Sequence, residues 1–82
     1  MSFYVYMLKS LDEKNTTYVG YTKDLKKRIK LHNNGRGAKF TRGRKWKLVY
    51  KEKHLSKHKA IFREYYIKKN RKLRNQIKNK II

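Results

Sequence analysis

Residues 17–32 read TYVGYTKDLKKRIKLH, and how this stretch divides decides the fold. Its leading part, within TTYVGY at 16–21, is rich in β-branched and aromatic residues and reads as a strand. Its second half repeats apolar residues at helical spacing. Leu25, Ile29 and His32 fall at i, i+4 and i+7, with Arg28 at i+3. Thr22 reads as the N-cap, and Asp24 lies in the first turn, where the helix dipole favours an acid. The helix should run to about Asn33 and stop at Gly35. A strand thus feeds a helix that carries a guanidinium and an imidazole on or beside its core-facing stripe.

Working outward, FYVYMLK at 3–9 is almost wholly apolar and suits a strand buried on both faces, hence a central one. SLDEKN at 10–15 makes a polar turn, so these two strands form a hairpin. GRGAKFTRGRK at 35–45 is a basic loop, and WKLVYKE at 46–52 a third strand with Trp46 in the core. Ser56 caps a helix over 57–69, and Asn70 ends it and caps another over 71–80. The order β-β-α-β-α-α predicts a single α+β domain over 1–82, with helices packed on a small sheet. A chain of this size buries only ~60% of the surface its unfolded form exposes.

Charge dominates the composition. Twenty-five Lys and Arg face five acids, a formal net charge of +20. Self-repulsion makes this costly for the fold, so a polyanionic partner, nucleic acid foremost, is the expectation. No segment reaches the ~18 apolar residues of a membrane span, and no cysteine is present for a disulfide or thiolate site. A soluble, cytoplasmic protein is expected.

The helices place charges where apolar residues belong. Arg28 borders the first stripe, and Glu64 lies among Ala60, Ile61 and Ile67 in the second. Such charges need partners. Arg28 and Glu64 either pair with each other or face a shared cleft, Glu64 holding a hard cation and Arg28 a phosphate. The remaining acids, Asp12, Glu13, Asp24 and Glu52, occupy turns, a helix start and a strand end.

YVY at 4–6, YVGYTKDLKKRIKLHNNG at 18–35 and AIFREYYIKK at 60–69 together resemble the GIY-YIG nuclease superfamily. GAKFTR at 37–42 and LVYKE at 48–52 bring the resemblance to its small stand-alone members. Tyr4-Val5-Tyr6 replaces the usual Gly-Ile-Tyr. The resemblance implies a three-stranded antiparallel sheet with flanking helices. It also implies hydrolysis of nucleic-acid phosphodiesters with one divalent cation, Mg²⁺ or Mn²⁺. In it Tyr6 and Tyr18 are the motif tyrosines, Gly20 closes the second half-motif, Arg28 is the motif arginine, His32 matches a position often held by histidine, and Glu64 is the metal ligand. Tyr21 lies where some members place another hydroxyl or ring. The late asparagine of many members has three candidates here, Asn75, Gln76 and Asn79.

Hydrolysis needs an activated water and charge stabilisation at phosphorus. Tyr6 is a candidate base or proton relay if positive neighbours lower its pKa, and His32 is the rival. Gly20 permits close backbone approach to a ligand, with Tyr18 beside it. Lys39, Phe40 and Arg42 in the basic loop are candidate nucleic-acid contacts, Phe40 by stacking on an unpaired base. DNA is the expected substrate, recognised by structure or single-strand character and not by a long sequence. Tyr4, Tyr50, Tyr65 and Tyr66 are read as packing residues, and His54 and His58 as surface residues. The alternative class is a basic nucleic-acid-binding or ribosome-associated protein without catalysis.

Overall fold

A computed structural model describes residues 2–80. Three strands, β1 (Phe3–Ser10), β2 (Thr17–Thr22) and β3 (Trp46–His54), form an antiparallel sheet in the order β2-β1-β3. Helix α1 (Leu25–Asn33) follows β2, and α2 (Lys57–Lys69) and α3 (Arg71–Lys80) follow β3. A single 3₁₀ turn, Lys39–Thr41, interrupts the basic loop.

The central position of β1 follows from its apolar run. Val5 and Met7 point to one face and Tyr6 and Leu8 to the other, all essentially inaccessible to solvent. The first pair joins Val19, Val49, Ala60 and Ile67, with Leu73 and Ile77 of α3 packed alongside. The second pair joins Trp46, with Tyr18, Leu25, Ile29 and Leu48 against it. So α1 covers one face and α2 with α3 the other. Each fully buried side chain such as Met7, Leu8 or Ile67 contributes roughly 1.5–3 kcal/mol. A register shift opposite Met7 and Leu8 leaves Val49 as an extra residue, which puts Val49 and Tyr50 together on the α2 side.

The caps differ from the sequence reading at one point. β2 continues through Thr22, and Asp24 is the N-cap of α1, its carboxylate accepting from the Lys27 amide at 3.1 Å. Thr22 instead accepts from the Asp24 amide through its hydroxyl. Ser56 caps α2, and Asn70 separates α2 from α3 while its side chain accepts from the Leu73 amide at 2.9 Å. Ile61 departs from the predicted stripe: it is exposed, and only Ala60 and Ile67 of α2 are fully buried. Among the described residues, no helix is long and apolar enough to cross a membrane.

Candidate active site

Strand alternation puts Tyr6, Tyr18 and Gly20 on the α1 face of the sheet. Tyr6 pairs in register with Gly20, and Leu8 with Tyr18. Gly20 has a specific physical task there. A Cβ at this position would lie 2.6 Å from the Tyr6 hydroxyl oxygen, so its absence lets the Tyr6 ring pass across β2 toward the sheet edge. The sequence reading expects close approach of a ligand at Gly20; the structure shows close approach of Tyr6.

At that edge, between α1 and α2, lies a cleft of about 550 Å³. Tyr6 from β1, Tyr18, Gly20 and Tyr21 from β2, Arg28 from α1 and Glu64 from α2 all line it. Among the described residues, no ion pair joins Arg28 to Glu64. Glu64 instead makes a loose 3.6 Å contact with Lys68, one turn on along α2. Its side chain is only about one-fifth exposed (19%). Lys68 also sits 5.8 Å from the Tyr18 ring centroid, at the lip of the cleft.

His32 is fully buried behind Tyr6. Its Nε2 is 2.8 Å from the Tyr6 hydroxyl, and its Nδ1 is 2.9 Å from the Thr41 hydroxyl. Thr41, also buried, donates its own proton to the Ala38 carbonyl at 2.9 Å. With its proton on Ala38, Thr41 accepts from Nδ1–H of His32, the tautomer that leaves the Nε2 lone pair to accept from Tyr6. The result is a directed chain, Tyr6 to His32 to Thr41 to Ala38.

Electrostatics agree with neutral members in this chain. Burial lowers the His32 pKa below its ordinary value, and the nearby Arg28 charge lowers it further. The Tyr6 pKa is raised, chiefly by burial and also by Tyr18 and Glu64; Arg28 pulls the other way but does not prevail. Arg28 is thus a lowering neighbour of the kind the sequence reading names, and burial outweighs it. Burial therefore favours the neutral phenol over a standing phenolate.

The basic loop is tied down around this chain. The Asn33 side chain accepts from the Trp46 amide at 2.5 Å and donates to its carbonyl at 3.2 Å. The Trp46 indole donates to the Thr41 carbonyl at 2.9 Å. Gly37 lies so close to the His32 ring that a Cβ there would overlap Nδ1. Lys39, Phe40 and Arg42 remain exposed, and Phe40 stacks on Tyr18 with ring centroids 6.1 Å apart. Tyr21 is half-buried and packs with the α2-side core while lining the cleft. Asn75, Gln76 and Asn79 are exposed on α3 and are not among the cleft's lining residues. Thr41, Gly37 and Asn33 were not singled out from the sequence. The GAKFTR segment contained two of them, but nothing in it signals a hydrogen bond back to His32.

A second polar cluster lies across β3. Glu52 accepts from Arg63 through both oxygens, at 2.6 and 3.1 Å, and from Tyr50 at 2.5 Å, with His54 at 3.1 Å. Burial opposes its charge, but the hydrogen bonds from Arg63, Tyr50 and His54 prevail and hold its pKa at about 2. His54 is therefore a half-buried member of an ion-pair cluster, not the free surface residue expected.

Among the described residues, no group of three or more His, Cys, Asp or Glu side chains gathers in one place. Of the two carboxylates that line the cleft, Asp24 caps α1, and Glu64 suits a hard cation that keeps several waters and takes further ligands from a phosphate. It does not suit a cation that needs a full protein cage.

Comparison with known proteins places the chain. The GIY-YIG catalytic domain family matches residues 2–78. The UPF0213 protein CPE1444 of Clostridium perfringens is 60% identical over 67 residues, 80% of this chain and 70% of that protein. The UPF0213 protein YazA of Bacillus subtilis is 45% identical over 67 residues, 80% of this chain and 66% of that one. The solution NMR structure of the UPF0213 protein BH0048 from Bacillus halodurans superposes with a TM-score of 0.56 at 40% identity, covering 94% of this chain and 82% of that one. The chain belongs to the GIY-YIG family, a family of nucleases, and its relatives are UPF0213 proteins. Its fold is thus that of a nuclease-type hydrolase domain whose substrate class is nucleic acid.

Proposed function

We propose that residues 1–82 act as one divalent-metal-dependent endonuclease domain, cutting nucleic acid, DNA foremost, by structure or single-strand character. The observation that carries this is the convergence of Tyr6, Tyr18, Arg28 and Glu64, from four different elements, on one cleft. The +20 charge supplies the attraction for a polyanion.

In the proposed reaction Tyr6 takes a proton from the attacking water while its own passes to Nε2 of His32. His32 is buried and reaches the cleft only through the Tyr6 oxygen, so it acts as the proton sink and not as the group that meets water. Thr41 holds the imidazole in the accepting tautomer. Arg28 presents a planar fork of donors to the non-bridging oxygens, where negative charge grows. Tyr18 helps to orient the phosphate, and Glu64 would hold the cation, with Mg²⁺ or Mn²⁺ as the natural choice. When bound, the cation supplies charge stabilisation at the phosphoryl group and the departing 3′ oxygen. Lys39, Phe40 and Arg42 contact the strand outside the cleft, which positions it without reading a long sequence.

The test is cleavage of labelled single-stranded and duplex DNA and RNA with Mg²⁺, Mn²⁺ or chelator, by the native protein and by Glu64→Ala and Arg28→Ala. Metal-dependent cuts should vanish in both variants while binding persists. Cleavage unaffected by Glu64→Ala would remove the cation site. Binding without cleavage under every metal would leave a basic binder.

A further inference from the structure

The outward face of α2 has no role in the fold or the cleft. Phe62 is 68% exposed, Tyr65 55%, Tyr66 46% and Ile61 42%. Their spacing gathers them on one side of the helix, opposite Ala60 and Ile67. Scattered exposed apolar residues are ordinary, but a contiguous aromatic patch marks a contact surface. Phe62, Tyr65 and Tyr66 border a groove of about 420 Å³ with Lys69, Asn70 and Arg71, at the junction of α2 and α3. Cations lie over two of the rings: Lys69 at 4.7 Å from the Tyr65 centroid and Arg63 at 5.3 Å from that of Tyr66.

We propose that this face is a stacking platform for unpaired bases of a single nucleic-acid strand, DNA or RNA, that runs past the cleft. It takes its class of ligand from the reading of the cleft given above. Ring faces flanked by ammonium and guanidinium groups match a strand that alternates flat bases with phosphates. A second copy of the chain matches poorly, because it brings another +20 to the surface. Of the five acids, Glu52 is held by Arg63, Glu64 and Asp24 line the cleft, and Asp12, which pairs with Arg44, shares one turn with the exposed Glu13, so a second copy offers these cations no larger acidic patch. The route is short: Lys68 stands at the lip of the cleft over Tyr18, and the next residue, Lys69, is already on the platform.

The experiment measures anisotropy of fluorescein-labelled 12-mers in chelator, where no cutting occurs. The probes are single-stranded DNA, single-stranded RNA, an abasic strand of equal length, and duplex. The variant is Phe62→Leu/Tyr65→Leu/Tyr66→Leu, which keeps an apolar surface but removes the rings; matched thermal melts verify its fold. Affinity for base-bearing single strands should fall about tenfold or more, with the abasic strand and duplex unchanged. The relative loss on DNA and RNA tells which strand the platform takes. Equal binding by variant and native protein overturns the proposal, as does an equal loss on the abasic strand. A dimer in sedimentation that the variant dissolves, or binding to anionic vesicles lost in the variant while oligonucleotide binding stays, overturns it in favour of a second copy or a lipid surface. Cleavage in Mg²⁺ is measured separately. Its absence with the stacking pattern intact removes the chemistry of the cleft, not the platform.

Discussion

The chain contains two tyrosine–histidine clusters, and they behave differently. Across β3, Tyr50 and His54 converge on Glu52, which Arg63 already holds through two bonds. Every strong donor there meets a charge, and the cluster fastens α2 to the sheet. Between β1 and α1, Tyr6 and His32 form a neutral chain that ends on a backbone carbonyl and has no carboxylate in it. Only its first oxygen, that of Tyr6, reaches the cleft. The same residue types therefore make a clamp where their bonding capacity is used up, and a hydrogen-bonded chain with one end open to the cleft where it is not. Residue type did not distinguish the two; unused hydrogen-bonding capacity facing a cavity did.

The strongest attempt to break this contrast removes one hydroxyl from each cluster. Tyr6→Phe should lower the cleavage rate about 10²- to 10⁴-fold, the usual range for a lost proton-transfer group, with the fold kept. Tyr50→Phe should leave the rate nearly unchanged and cost about 1 kcal/mol of stability, one net hydrogen bond. Single-turnover cleavage beside denaturant unfolding, followed by the lone and buried Trp46, reads both quantities. Equal loss of rate in the two variants would erase the distinction.

Acid should separate the clusters next. The Glu52 carboxylate is held at about 2 against an ordinary 4.5, so its contribution is complete above 4.5 and is lost as pH falls toward 2. Glu52→Gln should cost about 1–2 kcal/mol at neutral pH, a figure discounted because Arg63 is partly exposed, and flatten stability across that window. The His32 pKa is also depressed, so the neutral acceptor persists below the ordinary 6.5. Cleavage should fall on the acid side with an apparent pKa below 6.5, and Glu52→Gln should not move it. An acid limb above 6.5 would contradict a buried neutral imidazole.

The sequence disclosed whatever depends on short-range pattern. A run apolar on both faces announced β1 as the central strand, and Ser56 and Asn70 announced the ends of α2 by side-chain capping alone. Arg28 and Glu64 stood out as charges misplaced on apolar stripes, and Tyr6 and Tyr18 came from the family resemblance. Errors arose where two surfaces share one period. On α2 the inner Ala60 and Ile67 and the outer Ile61, Phe62, Tyr65 and Tyr66 all recur at helical intervals, so periodicity cannot tell the core face from the exposed one. The cap of α1 was misplaced because Thr22 and Asp24 are both good caps, and only the extent of the β1 pairing decides between them. The extra residue at Val49 carries no glycine or polar signal. Thr41 was hidden because its role is a tertiary contact: the Asn33–Trp46 bonds and the bare Cα of Gly37 must first fold the loop onto His32.

Thr41 supplies the finest test of the contrast. Its hydroxyl accepts from Nδ1 of His32 and so directs Nε2 toward Tyr6. Thr41→Val keeps the shape but removes the acceptor, which frees the imidazole to place its proton on Nε2, where it cannot receive from Tyr6. Cleavage should slow about fivefold, the equivalent of about 1 kcal/mol for one net hydrogen bond. The acid limb should move further down, because the imidazolium loses an acceptor for one of its two protons. Nitrogen-15 shifts of the His32 ring give the decisive reading. In the native protein they should report a proton on Nδ1, and in Thr41→Val a mixture of tautomers. A slower variant with an unchanged tautomer ratio would make Thr41 a packing residue, and the directed chain behind Tyr6 would lose its orienting end.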